Sequence, residues 1–179
     1  MKKNTSILIP IMHVISWLAF VGASIKAGAI LTSYLVSIFG NKLASENMYL
    51  SLNLSQLMNQ DMVAYSILSI LIIGVLVMEA LLCYQVIRIF LKIDFSKPFQ
   101  IQVEKIIMNM SVIALFVGIL CKLSSGFAKR YTDEGMSFPH LNEHIGVGDA
   151  FLYFAGILFV IDIVFRKGIE LQTENDLTV

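Results

Sequence analysis

Four long apolar stretches, separated by short polar connections, restrict what this chain can fold into more than any other feature. Crossing about 30 Å of hydrocarbon takes roughly 20 consecutive apolar residues in a helix. A backbone with no water to bond leaves only helices or closed barrels as spanning forms. The stretches fall at about residues 7–26, 62–91, 103–121 and 145–165. They predict an all-α fold, a four-transmembrane-helix bundle forming a single integral membrane domain over residues 1–179. Hydrophobic residues make up 57% of the chain and the mean hydropathy is +0.78, above the apolar share of about 45–50% usual in soluble domains.

The first stretch exceeds one crossing. It stays apolar from Ile7 to Phe39, about 50 Å of helix at 1.5 Å per residue. Lys26 is expected to mark the far interface, with residues 27–39 projecting beyond the membrane or lying on its surface. Outer loops are then expected at 40–61 and 122–144, and a tail at 166–179. Lys and Arg resist translocation in short loops. Lys2, Lys3, Arg88, Lys92, Lys97, Lys105, Arg166 and Lys167 fall on one face, against Lys26, Lys42, Lys122, Lys129 and Arg130 on the other. This bias places both termini in the cytoplasm. Lys2 and Lys3 ahead of an apolar run, with small residues near Ala23, also have the form of a signal peptide. Apolar sequence continuing past any cleavage point there favours a retained anchor.

Lipid tails supply no hydrophobic drive between helices, so small residues that permit close approach matter most. Ala19, Ala23 and Ala27 form one row with Ser24 and Gly28 beside it; Ala114 and Gly118, Gly74, and Gly156 serve the other spans. Membrane lipid and a second copy of the chain are the candidate partners of such helices. Phe20-Val21-Gly22 followed by Lys26 is echoed by Phe116-Val117-Gly118 followed by Lys122. The echo fits either an internal duplication or shared constraints on two spans running the same way.

Ionisable residues within membrane spans are expensive. Four stand out: Lys26, Glu79, Asp162 and Arg166. Asp162 and Arg166 are four residues apart, a spacing that permits a same-face ion pair. Glu79 is too far from Arg88 for that pairing, so it is expected to face the bundle interior or to be protonated. Such carboxylates serve either as structural hydrogen-bond partners or as members of a proton or ion relay. Lys26 and Lys122 can snorkel towards the interface. Cys83 and Cys121 should lie towards opposite ends of neighbouring spans and remain unpaired.

His140, Glu143 and His144 match H-x-x-E-H, in which two histidines one helical turn apart hold zinc and the glutamate is the general base. Here the motif lies in a short loop between Pro139 and Gly146, with Asp133, Glu134 and Asp149 as the nearby third-ligand candidates. His13, on the inner half of the first span, cannot reach it. The expectation is therefore no catalytic residue, no metal and no cofactor. A net charge of zero and the lack of a dense basic cluster give no direct nucleic-acid footprint.

In the first outer loop, residues 49–55 alternate as a short strand would, while Leu50, Leu54, Leu57 and Met58 fit a helical stripe. Asn53-Leu54-Ser55 has the form of a glycosylation acceptor. The inner connection, residues 92–99, is held extended before Pro98; Ser96 could cap the turn into the third span, whose first turn contains Glu104.

The tail carries Arg166 and Lys167 at the end of the fourth span, where cations favour an anionic leaflet. Gly168 could loosen or cap the helix there. Glu170, Glu174 and Asp176 then alternate with Ile169, Leu171, Leu177 and Val179. Ile15-Ser16-Trp17 with Lys26-Ala27-Gly28-Ala29, Phe95-Ser96-Lys97-Pro98-Phe99, and above all the run Phe165 to Val179 resemble the bacterial membrane family known as domain of unknown function 2975. The resemblance covers nearly the whole chain. It implies a small four-helix protein of the bacterial inner membrane, with no assigned catalytic residues, whose relatives are often encoded beside a helix-turn-helix regulator.

Two functions follow as expectations. One is a non-enzymatic membrane regulator or anchor that docks a cytosolic helix-turn-helix regulator on Glu170, Glu174, Asp176, Leu177 and Val179. The other is a small transport or channel component using Glu79, Asp162 and the bundle interior. A polar cavity at mid-membrane would favour transport, and a closed, dry bundle with an ordered tail would favour the regulator.

Overall fold

The computed structural model describes residues 2–93 and 99–177, with side chains for residues 9–93 and 99–175. Four long helices dominate it: α1 (Lys2–Phe39), α3 (Met62–Lys92), α4 (Ile101–Asp133) and α6 (Gly148–Leu177). Two short helices lie between them, α2 (Ser55–Gln60) and α5 (Asn142–Ile145), together with 3₁₀ turns at Lys42–Ser45 and Tyr49–Ser51. No strand occurs among the described residues. All four long helices are long and apolar enough to cross a membrane.

Each long helix packs along the next one in sequence: α1 on α3, α3 on α4, and α4 on α6. Phe20 meets Tyr84 with ring centroids 5.8 Å apart, and Tyr34 meets Tyr65 at 5.9 Å, so α1 and α3 run antiparallel. The hydroxyls of Ser37 and Tyr65 share a 2.6 Å hydrogen bond near one end of that pair. The central helices α3 and α4 bury more of their length than the flanking α1 and α6. Along α4 the buried residues Val103, Ile107, Met110, Ala114, Val117, Cys121, Ser124 and Ala128 recur at alternating steps of three and four. This is the spacing that seats one helix against another at a shallow angle. Facing it, Leu68, Ile72, Val75 and Leu76 of α3 have no exposed surface, with the Ser69 hydroxyl buried beside them, so the centre of this layer is mainly apolar.

α1 runs unbroken to Phe39, the helical length that its apolar run from Ile7 allows, with Ala27, Ile30 and Ser37 buried. α4 continues as helix through residues 122–133, where a loop was expected. Asp61 begins α3 by accepting from the amides of Val63 and Ala64 at 2.9 and 3.0 Å, an N-cap that satisfies two otherwise orphaned donors. The first outer loop is neither strand nor one helical stripe. Leu50 is exposed and takes φ +55°, while Leu52 and Leu54 turn inward ahead of α2, which buries Leu57 and Met58. Asn53 forms a turn just ahead of α2 by accepting from the Ser55 amide at 3.0 Å.

Close approach also falls elsewhere than on the α1 alanine row. Ala27 is buried but Ala19 is exposed, and neither Gly22 nor Gly28 faces another atom within 4 Å. The tight crossing is α4 against α6. A Cβ on Gly118 would lie 2.6 Å from Leu152, and one on Gly148 would lie 2.8 Å from the Cβ of Cys121. Gly22 and Gly118, the matched glycines of the sequence echo, thus have unlike surroundings.

Candidate functional site

Three places gather the residues singled out by the sequence. The first is the segment around α5 that joins α4 to α6. His140 precedes the helix at φ +61°, and its Nδ1 lies 2.6 Å from Glu143 Oε1, both side chains being about half exposed. His144 is fully buried. The backbone of Tyr49 approaches its ring, yet neither ring nitrogen meets hydrogen-bond geometry. The two histidines thus sit in unlike surroundings and do not share a helix, since α5 is a single turn that begins after His140. Asp149, a third-ligand candidate, instead holds Lys122 at 2.7 Å. Among the described residues no three His, Cys, Asp or Glu side chains are placed to share a metal ion. His13 lies far away in the chain's packing, accepting from Trp17 Nε1 at 3.1 Å and stacking near Phe90.

The second place is the interior between α1 and α3. Glu79 sits near the middle of α3, half-buried, and Lys26 is half-buried on α1. The Lys26 ammonium acts electrostatically on both Glu79 and His144. No carboxylate among the described residues comes within ion-pair distance of it. Sequence spacing could not reveal these couplings, because the three residues belong to three elements. Cys83 and Cys121 are both free thiols.

The third place is the opposite end of α4 and α6. Arg166 Nη2 stands 2.9 Å from Asp162 Oδ2, the i,i+4 contact that the spacing allows, and Arg166 Nε stands 3.0 Å from Glu104 Oε1 on α4. Asp162 is 1% exposed. The guanidinium approaches it as a charge at an angle that leaves both carboxylate oxygens without a directed hydrogen bond. One cation thus bridges two helices and serves two acids. Glu104 is the member that the sequence did not single out as Arg166's partner, since nothing in the sequence indicates which α4 residue lies opposite.

Beyond Arg166 the helix does not stop. Gly168 neither loosens nor caps it; α6 continues to Leu177, and the missing side chain makes room for the Phe99 ring packed directly on it. Phe99 also meets Phe165 edge-on at 5.5 Å. Lys167 pairs with Glu170 one turn on, while Leu171 is 60% exposed. Phe99, Val164, Lys167, Gly168, Leu171, Gln172 and Asn175 line a groove of about 520 Å³ along this extension. Glu174 is exposed on the same helix. The side chains of Asp176 and Leu177, and Val179 altogether, lie outside the described residues, as do Ser96 and Lys97 of the inner connection. Comparison of the chain with protein-family models, with curated proteins and with solved structures finds no match in any of the three.

Proposed function

We propose that the chain is a non-enzymatic multi-pass membrane protein of the bacterial inner membrane, with cytoplasmic termini, that docks a basic cytosolic regulator of the helix-turn-helix type. The observation carrying this reading is the extension of α6. The helix runs past the Arg166 clamp to Leu177, bringing exposed Leu171, an adjoining groove and the acids Glu170 and Glu174 into one stretch. Apolar anchors flanked by acids suit a basic partner, with charge governing encounter and the apolar contact governing retention. The likeness of the run Phe165 to Val179 to the domain of unknown function 2975 family supports the same partner class. Docking there would hold the regulator away from DNA.

Deletion of Gln172 to Val179 tests the proposal, since it removes the end of the extension and leaves the four long apolar stretches intact. The partner recovered with the full chain should be lost from the truncated one. Replacing Glu170, Glu174 and Asp176 by Lys should release it as well, and binding to the full chain should weaken as salt rises. Equal recovery from both forms refutes docking.

A second reading, a small transport or channel component, draws on the Lys26–Glu79 approach inside the helix layer. A carboxylate and an ammonium of neighbouring helices without a direct ion pair could exchange a proton or ion. Flux into proteoliposomes that vanishes with Glu79→Gln would favour this reading over docking.

A further inference from the structure

A cleft of about 370 Å³ opens between the end of α3 and the start of α4, lined by Arg88, Lys92, Gln102, Lys105, Ile106 and Asn109. Three of these six side chains are cationic and none is acidic. Arg88 is half-buried and donates to Gln85 Oε1 at 2.9 Å. No carboxylate among the described residues pairs with Arg88, Lys92 or Lys105. Glu104, next to Lys105 in sequence, is committed with Asp162 to Arg166. Low-dielectric walls around charges of one sign raise the local concentration of counter-ions. The cleft also presents two side-chain amides able to donate to oxygen.

The same helix faces continue as apolar surface. Residues seven and eleven positions away return to within about 20° of the starting direction at 3.6 residues per turn. Leu81 and Val77 therefore extend the Arg88 face, and Val112 and Phe116 extend the Lys105 face. All four are exposed. From the cations this apolar track runs about 10–16 Å along the helices at 1.5 Å per residue, away from the polar end and into the span. A cationic head site leading to an exposed apolar track has the form of an amphiphile.

We infer that the cleft binds the phosphate headgroup of an anionic phospholipid, with the acyl chains lying along Val77, Leu81, Val112 and Phe116. Arg88 supplies a planar fork for two phosphate oxygens, and Lys92 and Lys105 act as point charges. Ile106 forms the apolar floor where headgroup gives way to chain. Basic pockets between membrane helices are suited to such headgroups. The inference rests on the membrane-spanning reading and is independent of the docked regulator.

The full chain, reconstituted in nanodiscs of phosphatidylcholine containing a minor fraction of phosphatidylglycerol, provides the test by quantifying the lipid retained after extraction into detergent. Wild-type protein should retain phosphatidylglycerol preferentially. Each cation near a charged headgroup contributes about fivefold, so Lys92→Gln with Lys105→Gln should reduce the preference by roughly 25-fold. Both lysines are exposed, and this double variant leaves the half-buried Arg88 in place. Lys129→Gln with Arg130→Gln removes equal charge at the far end of α4 and should leave the preference unchanged. An undiminished preference in the first pair, or an equal loss in the second, overturns the site. Displacement of the lipid by inorganic phosphate at millimolar concentration would identify a soluble phosphate as the ligand and overturn the lipid assignment. Failure of the wild-type chain to enter nanodiscs would refute the membrane reading itself, and is seen before any lipid is counted.

Discussion

Arg166→Gln removes the one cation that serves two carboxylates, and its cost can be worked from their surroundings. Asp162, at 1% exposure, has no other partner, so the substitution leaves a buried acid uncompensated. Breaking a fully buried pair from one side costs about 3–5 kcal/mol. The Arg166 side chain is itself 56% exposed, so water already screens part of the contact, and the more exposed pairs of this kind contribute only about 0–1 kcal/mol. A loss of about 2 kcal/mol lies between those limits. At roughly 2–4 °C per kcal/mol for a chain of this size, melting in detergent should fall by about 4–8 °C. Adding Asp162→Asn should recover a large part of the loss, since the stranded charge is then gone. Adding Glu104→Gln should recover less, because Glu104 keeps 13% exposure against 1% for Asp162. Circular dichroism melts of these three variants, the wild type and the single Asp162→Asn and Glu104→Gln variants give the coupling directly. Melting of Arg166→Gln at the wild-type temperature, or no recovery with Asp162→Asn, would refute the clamp.

Gly148→Ala should destabilise by about 1–3 kcal/mol because its new methyl meets the Cβ of Cys121 across the α4–α6 crossing. Gly126→Ala, which meets nothing within 4 Å, should stabilise by up to about 1 kcal/mol through helix propensity; parallel melts that move in the same direction would count against the crossing. Tyr65→Phe removes the buried hydrogen bond to Ser37 and should cost about 0.5–1.5 kcal/mol, again read by melting. Reporter fusions after Gly135 and at Val179 should report opposite sides of the membrane, external and cytoplasmic; a cytoplasmic signal at Gly135 would reverse the topology. Glu143→Gln should leave any cellular phenotype intact, whereas stoichiometric zinc abolished by His140→Ala would restore the hydrolase reading.

Hydropathy made the four long helices legible because each carries an uninterrupted apolar run, and the i,i+4 spacing of Asp162 and Arg166 made their contact legible too. The end of α4 was harder. Residues 122–133 contain Lys122, Lys129, Arg130 and Asp133, which reads as a loop when mean polarity decides. Yet Ser124 and Ala128 continue the buried stripe from Cys121, and following that periodicity would have extended the helix. Other features were not available to any local reading. Gly168 looks like a helix terminator until Phe99 is found against it, and His144 looks like a ligand paired with His140 until its full burial is set against the exposure of His140. Glu104 and Arg166 are 62 positions apart, so only the antiparallel register of α4 and α6 brings them together.

The neighbour-on-neighbour order of the long helices has a consequence for biogenesis. A chain inserted from its N-terminus delivers α3 to a membrane that already holds α1, then α4 to one that holds α3, and finally α6. Each arriving helix finds its principal docking surface already in place, so no earlier segment must wait for a distant one. Assembly of this kind proceeds by accretion, with only short connections to close at each step. The α3–α4 contact can form before α6 emerges, which leaves the last helix to seal the Gly118 face and to lock itself with Arg166 on Glu104. A ribosome stalled ahead of α6 would therefore hold a three-helix intermediate in which the Gly118 surface of α4 is still uncovered.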